Sequence, residues 1–182
     1  QASGLKLGAK PEELNITNPE LIESIHAKYA AAGSRIVNAN TFGASAHKLA
    51  GSAYSLEEII AAGIANCKRA CAPYGALTTL DVGPLGELLE PSGTLAFEDA
   101  VNEYARIVRA GVAAGADLIF FETFTDLYEL KAALLAAKEN STLPILASMS
   151  FEAGGRTFTG CTVESFGVTA RGLGANAVGI NC

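Results

Sequence analysis

The chain has 182 residues, 49% of them hydrophobic and 18% charged, a balance that excludes a disordered chain and allows one sizeable core. Its formal charge of −6 comes without a basic stripe, which argues against nucleic acid and against an anionic membrane surface as partners. No apolar run approaches the ~20 residues of a membrane span, and four cysteines without a short secreted framework fit a reducing, cytoplasmic setting.

The opening QASGLKLGAK has no apolar core of a signal peptide and no initiating methionine, so further sequence is expected upstream. The first predicted helix starts near Thr17 or Asn18, with Pro19 at its first position, and ends at Gly33. A short strand follows in SRIVNANTFG. The next helix has Ser55 as its cap and Glu58 three residues on, the pattern of a capping box. ALTTLDVGP is a strand, and LAFEDAVNEYARIVRAGVAAG a long amphipathic helix. ADLIFFETF is a strand whose unbroken apolar run predicts burial on both faces. The helix DLYELKAALLAAKENS, the strand LPILASMSF, the helix TVESFGVTARGLG and the strand ANAVGINC complete the chain. Strands alternating with helices at this spacing predict a single parallel α/β domain over residues 1–182. About five strands are visible. They fit either part of an eight-stranded (β/α) barrel, a TIM barrel lacking its first strand and its last ones, or an open five-stranded sheet.

Three segments repeat: AAGSRIVNANTF, AAGADLIFFETF and GLGANAVGINC. Counted from Gly33, Gly115 and Gly174, the seventh residues are Asn40, Glu122 and Asn181, and the eighth are Thr41, Thr123 and Cys182. Asp81, Ser148 and Ser150 fall near the ends of the two other strands. Sites in parallel α/β proteins form at the carboxyl ends of strands. A polar group there either meets a ligand or caps neighbouring backbone. Glu122, directly after LIFF, favours the ligand reading because a buried carboxylate needs a partner. For Thr41 and Asp81 both readings stand. Asn40 and Thr41 cannot both face inward unless the strand has already ended.

GLGANA matches a dinucleotide-binding pattern, but it follows a helix and opens a strand, the reverse of what that motif needs. Cys67 and Cys71 lie four apart on one helix face and read as packed thiols rather than metal ligands. Cys161 reads as a small loop residue. His26 reads as a packing residue and His47 as a residue near the NTFGA loop; with only two histidines, a histidine triad or histidine-rich zinc site is not expected. Cys182, by spacing alone, is either a core thiol or a site residue.

NANTFGAS, DVGPLGELLEPSGT, FFETFTDLYELKAAL, SMSFEAGGRTFTG and GINC together resemble the homocysteine S-methyltransferase family, closest to the homocysteine-binding region of its cobalamin-dependent methionine synthase branch. The resemblance covers nearly the whole chain. It implies a (β/α)8 barrel, of which about five βα units are here, with zinc at the carboxyl ends of the strands. It maps the first of three zinc-binding cysteines onto Cys182; the paired GGCC that supplies the others is not in this sequence. The family's opening DGAMGT-like segment is not in it either. The resemblance places the substrate-binding glutamate at Glu122 and the threonine of NTF at Thr41, with Asn40 beside it and Asp81 in a matching motif of less defined role. It implies homocysteine as substrate and methylcobalamin, on another domain of a longer chain, as methyl donor. Zinc would convert a weakly nucleophilic thiol into a thiolate that attacks the activated methyl group. The expectation for these 182 residues alone is no turnover and weak zinc affinity. A metal-independent barrel lyase or aldolase using Glu122 and Asp81 is the alternative, weakened because no lysine sits at a strand end to form a Schiff base; an inactive fragment is another.

Overall fold

The computed structural model describes residues 8–182; most of the opening segment read for a signal sequence lies outside them. Five strands form one parallel sheet: β1 (Ile36–Asn38), β2 (Leu77–Val82), β3 (Leu118–Phe124), β4 (Ile145–Ser150) and β5 (Ala177–Asn181). Their order across the sheet is their order in the chain. The helices are α1 (Leu14–Thr17), α2 (Pro19–Ala31), α3 (Leu56–Cys71), α4 (Phe97–Ala113), α5 (Leu127–Asn140) and α6 (Val163–Gly172), with short 3₁₀ turns at Pro11–Glu13 and Ala72–Tyr74.

Sequential order settles the choice between barrel and open sheet. A doubly wound sheet reverses its strand order at a switch point so that helices cover both faces. Here every crossover steps the same way, and right-handed crossovers then place all helices on one face. Consecutive helices pack in turn, α2 on α3, α3 on α4, α4 on α5 and α5 on α6. The result is a curled α/β half-barrel with helices outside.

The helices form where the pattern predicts. Asn18 caps α2 by accepting from Leu21 N–H at 3.3 Å, and Pro19 opens the helix. Ser55 and Glu58 make both bonds of the capping box at α3. On α3, Leu56, Ile59, Ile60, Ile64 and Cys67 are buried at helical spacing against the sheet. Each large aliphatic side chain so buried contributes about 1.5–3 kcal/mol. Tyr104, Ile107 and Val108 do the same for α4.

The repeat is a repeated helix stop. Gly33, Gly115 and Gly174 all have φ near +90° (102°, 85° and 94°). In each case the glycine N–H reaches back three residues and the next N–H reaches back five: Ser34 to Tyr29, Ala116 to Gly111 and Ala175 to Ala170. That is the Schellman geometry, which needs a residue free to be left-handed. Two residues after two of these glycines a side chain caps the neighbouring strand's start. Asp117 accepts from Thr78 N–H at 2.8 Å, and Asn176 from Ile145 N–H at 2.8 Å.

Within β3 the register against β4 slips between Phe121 and Phe124, so Glu122 and Thr123 together oppose one β4 residue. The bulge has a packing reason. Phe121 and Phe124 are three apart, an odd separation that normally puts residues on opposite faces. The extra residue returns both to the helix side, where they meet each other at 6.1 Å and Tyr104 of α4 at 6.1 and 5.9 Å, ring centre to ring centre.

Candidate active site

Pairing and alternation place Asn38, Asp81, Glu122, Ser148 and Asn181 on the inner, concave face at the carboxyl ends of the five strands. The bulge keeps Thr123 beside Glu122 on that side. Asn38 Nδ2 donates to Glu122 Oε1 at 3.3 Å, and Thr123 Oγ1 donates to Glu122 Oε2 at 3.3 Å. Thr123 Oγ1 in turn accepts from Asn181 Nδ2 at 2.6 Å. Asn181 Oδ1 accepts from Ser148 Oγ at 3.1 Å, and Ser148 Oγ accepts from Thr123 N–H at 3.4 Å. The ring through β3, β4 and β5 holds Thr123 at φ +64°, a left-handed conformation that costs a β-branched residue about 1–3 kcal/mol. The carboxylate of Glu122 is thereby gripped from both sides while the residue stays half-exposed.

Asp81 lies on β2 beside Glu122. Burial pushes its carboxyl well above the usual carboxylate range, and the charges of Glu122 and then Glu12 push the same way. Thr41 is 1% exposed, and its hydroxyl both donates to Asp81 C=O at 2.8 Å and accepts from Asp81 N–H at 3.1 Å. Its side chain therefore clamps β2 at the level of Asp81, the capping role of the two read from sequence. β1 ends at Asn38, so Asn40 is already in the loop. Its amide donates to Pro11 C=O at 2.9 Å and Asn15 Oδ1 at 3.0 Å. Asn38, not Asn40, is the β1 residue that reaches Glu122. The repeat counts chain positions from the glycine, but it cannot register how early β1 stops.

Cys182 is exposed, and its Sγ accepts from Asn181 Nδ2 at 3.5 Å, which ties it to the Thr123 ring. No cluster of three His, Cys, Asp or Glu side chains suited to a metal occurs among the described residues. The other cysteines lie elsewhere. Cys67 and Cys71 are buried on α3 with sulfurs 3.8 Å apart, and burial pushes the Cys67 thiol up to about 12. Cys161 is half-buried in the loop before α6. His26 is buried on α2, and burial lowers its pKa. His47 pairs with Glu87 at 2.8 Å on the rim. No helix of the described residues is long and apolar enough to cross a membrane.

A frame of loop contacts sets the rim. Phe42 C=O accepts from Gly83 N–H at 3.0 Å, and a Cβ at Gly83 would sit 2.6 Å from the Phe42 ring. Glu129 of α5 is buried and its Oε1 accepts from Leu85 N–H at 2.7 Å and Tyr104 O–H at 2.8 Å. Asn15 is buried and bonds Asn40 C=O and Ile59 C=O at 2.8 and 3.2 Å. Sequence reasoning missed Asn15, Asn38 and Glu129. For Asn38 the signal was there: it is the inner-face position one alternation before Asn40.

Residues 3–182 match the family model described as homocysteine S-methyltransferase. The methionine synthase of Mycobacterium tuberculosis (strain ATCC 25618 / H37Rv) is 28% identical over 183 residues, covering 94% of this chain and 15% of that protein. The chain thus spans a small part of the length of that curated relative. Among solved structures, the metallated form of the homocysteine methyltransferase MmuM from Escherichia coli superposes with a TM-score of 0.85 at 19% identity, covering 100% of this chain and 70% of that one. Its oxidised form gives a TM-score of 0.88 at 21% identity, with 100% and 69% covered. These likenesses bear on the fold: the five βα units correspond to part of a barrel.

Proposed function

The chain belongs to the homocysteine S-methyltransferase family, and we propose that it forms the homocysteine-binding part of an enzyme that methylates the homocysteine thiol to give methionine. The observation that carries the reading is Glu122, a half-exposed carboxylate held by Asn38 and Thr123 at the open end of the concave face. It binds the substrate ammonium through a charge-assisted hydrogen bond. Asp81 flanks it. Thr41 and Asn40 serve the substrate site by fixing the β1 loop and the end of β2. The similarity to a methionine synthase supports a role as one module of a longer chain, with methylcobalamin on another domain as methyl donor.

Cys182 is our candidate for one ligand of a zinc ion whose Lewis acidity would favour the substrate thiolate. A catalytic zinc needs three protein ligands, and the described residues supply no such set. The steps assigned to these residues are therefore binding and orientation only. The reading is tested in the protein at its full genomic length. Glu122→Gln is expected to raise the homocysteine KM about 10–100-fold, the worth of a hydrogen bond to a charged group. Cys182→Ala is expected to lower zinc content. An unchanged KM in the first would sink the substrate assignment, and unchanged zinc in the second the ligand assignment.

A further inference from the structure

Asp81 presents a problem that the substrate reading leaves open. It is 6% exposed, and its Oδ1 is sealed from solvent without a hydrogen-bond partner. The charged groups facing it are Glu122 from β3 and Glu12 from the amino-terminal turn, both acidic. Polar neighbours are committed elsewhere: Asn38 gives its amide to Glu122, and the Thr41 hydroxyl goes to the Asp81 backbone. Lys48 lies over the Phe42 ring at 4.9 Å, and the acidic groups it feels are Glu129 and Glu12.

Two adjacent carboxyl groups in one partly desolvated site do not both ionise readily, and one keeps a proton. Environment decides which. Glu122 is half-exposed, and its carboxylate accepts from two donors, Asn38 and Thr123. Asp81 is buried, and its Oδ1 has no donor. Asn38 of β1 reaches Glu122 of β3 across β2, so the Glu122 carboxylate lies over the inner face of β2 on which Asp81 stands. We propose that Asp81 is a positioning residue that works as a carboxylic acid, donating its O–H to the Glu122 carboxylate. It rests on the reading of Glu122 as the ammonium contact. Asn38, Thr123 and Asp81 then fix Glu122 from three strands' worth of donors, and the pair presents one negative charge. One charge matches the single ammonium of an amino acid substrate, whereas two would favour a diamine or a divalent cation.

The test uses the protein at full genomic length. Asp81→Asn keeps a donor towards Glu122 and is expected to hold the homocysteine KM within about threefold of wild type, while Asp81→Ala raises it about tenfold or more with kcat changed less. Difference infrared spectra at neutral pH are expected to show a protonated carboxyl stretch in wild type that Asp81→Asn removes. A KM in Asp81→Asn as high as that of Asp81→Ala, or a wild-type spectrum without that band, would overturn the proposal. If Asp81→Ala does not fold, the band and the Asp81→Asn KM decide alone. Failure of the underlying reading looks different: Glu122→Gln would then leave the KM unchanged, and the positioning role would fall with it even where the band persists.

Discussion

Thr41 shows how a single hydroxyl can tie a loop to the end of a strand. It satisfies both backbone groups of Asp81 across the gap between the β1 loop and β2. Thr41→Val keeps the shape and strands a buried N–H and C=O. It is expected to cost about 1–3 kcal/mol in urea unfolding, with Thr41→Ser close to wild type. Glu129 gives a pH signature. Burial raises its pKa above the ordinary value, outweighing the donors Leu85 and Tyr104 that pull it down. An acid whose folded pKa is raised adds stability below its unfolded value of about 4.3 and loses it as pH climbs through the folded one. The stability of wild type minus that of Glu129→Gln should therefore grow as pH falls through that window; a flat difference would contradict it. At this scale Glu122 was legible because a carboxylate ending an apolar run demands a reason. The paired use of Thr41 and the reach of Asn38 were not, because each depends on where β1 stops.

The elements were read from pattern almost intact, since caps, glycine stops and apolar spacing are local in sequence. The bulge in β3 was not, because its cause is the aromatic packing of Phe121 and Phe124 on Tyr104 across sixteen or more residues of chain. Close approach of helix to sheet is another non-local fact. A Cβ at Gly111 of α4 would collide with Leu80 Cδ2, and Leu80 is fully buried. Alanine gains about 1 kcal/mol of helix propensity over glycine, but overpacking costs about 1–3 kcal/mol. Gly111→Ala is thus expected to lower the midpoint of thermal unfolding, and a rise would show that β2 yields. The strand starts behave differently from the strand ends. Asp117→Ala removes the partner of Thr78 N–H and should cost about 1–2 kcal/mol while leaving homocysteine KM unchanged.

The whole sheet is curled but open. Among the described residues β1 and β5 are the edge strands, and the outer side of β5 exposes Ile180 at 59%, with Val168 of α6 at 76%. Unpaired edges beside apolar side chains template association. The 182 residues produced alone are expected to self-associate at micromolar concentration in light scattering; a stable monomer would contradict this. The barrel itself was legible only through family resemblance, because alternation of strand and helix fits an open sheet equally well. Strand order, which no local pattern encodes, decided it.

That order also has a consequence for how the molecule is made. Because each strand pairs with the one before it, a chain leaving the ribosome finds its sheet partner already synthesised at every step. The Glu122 grip is the exception. Thr123 needs Asn181, fifty-eight residues later, to close its ring. During translation the sheet can grow strand by strand, and the left-handed turn at Thr123 becomes locked only when the last residues of β5 emerge, so the surroundings of Glu122 are finished after the scaffold that carries them.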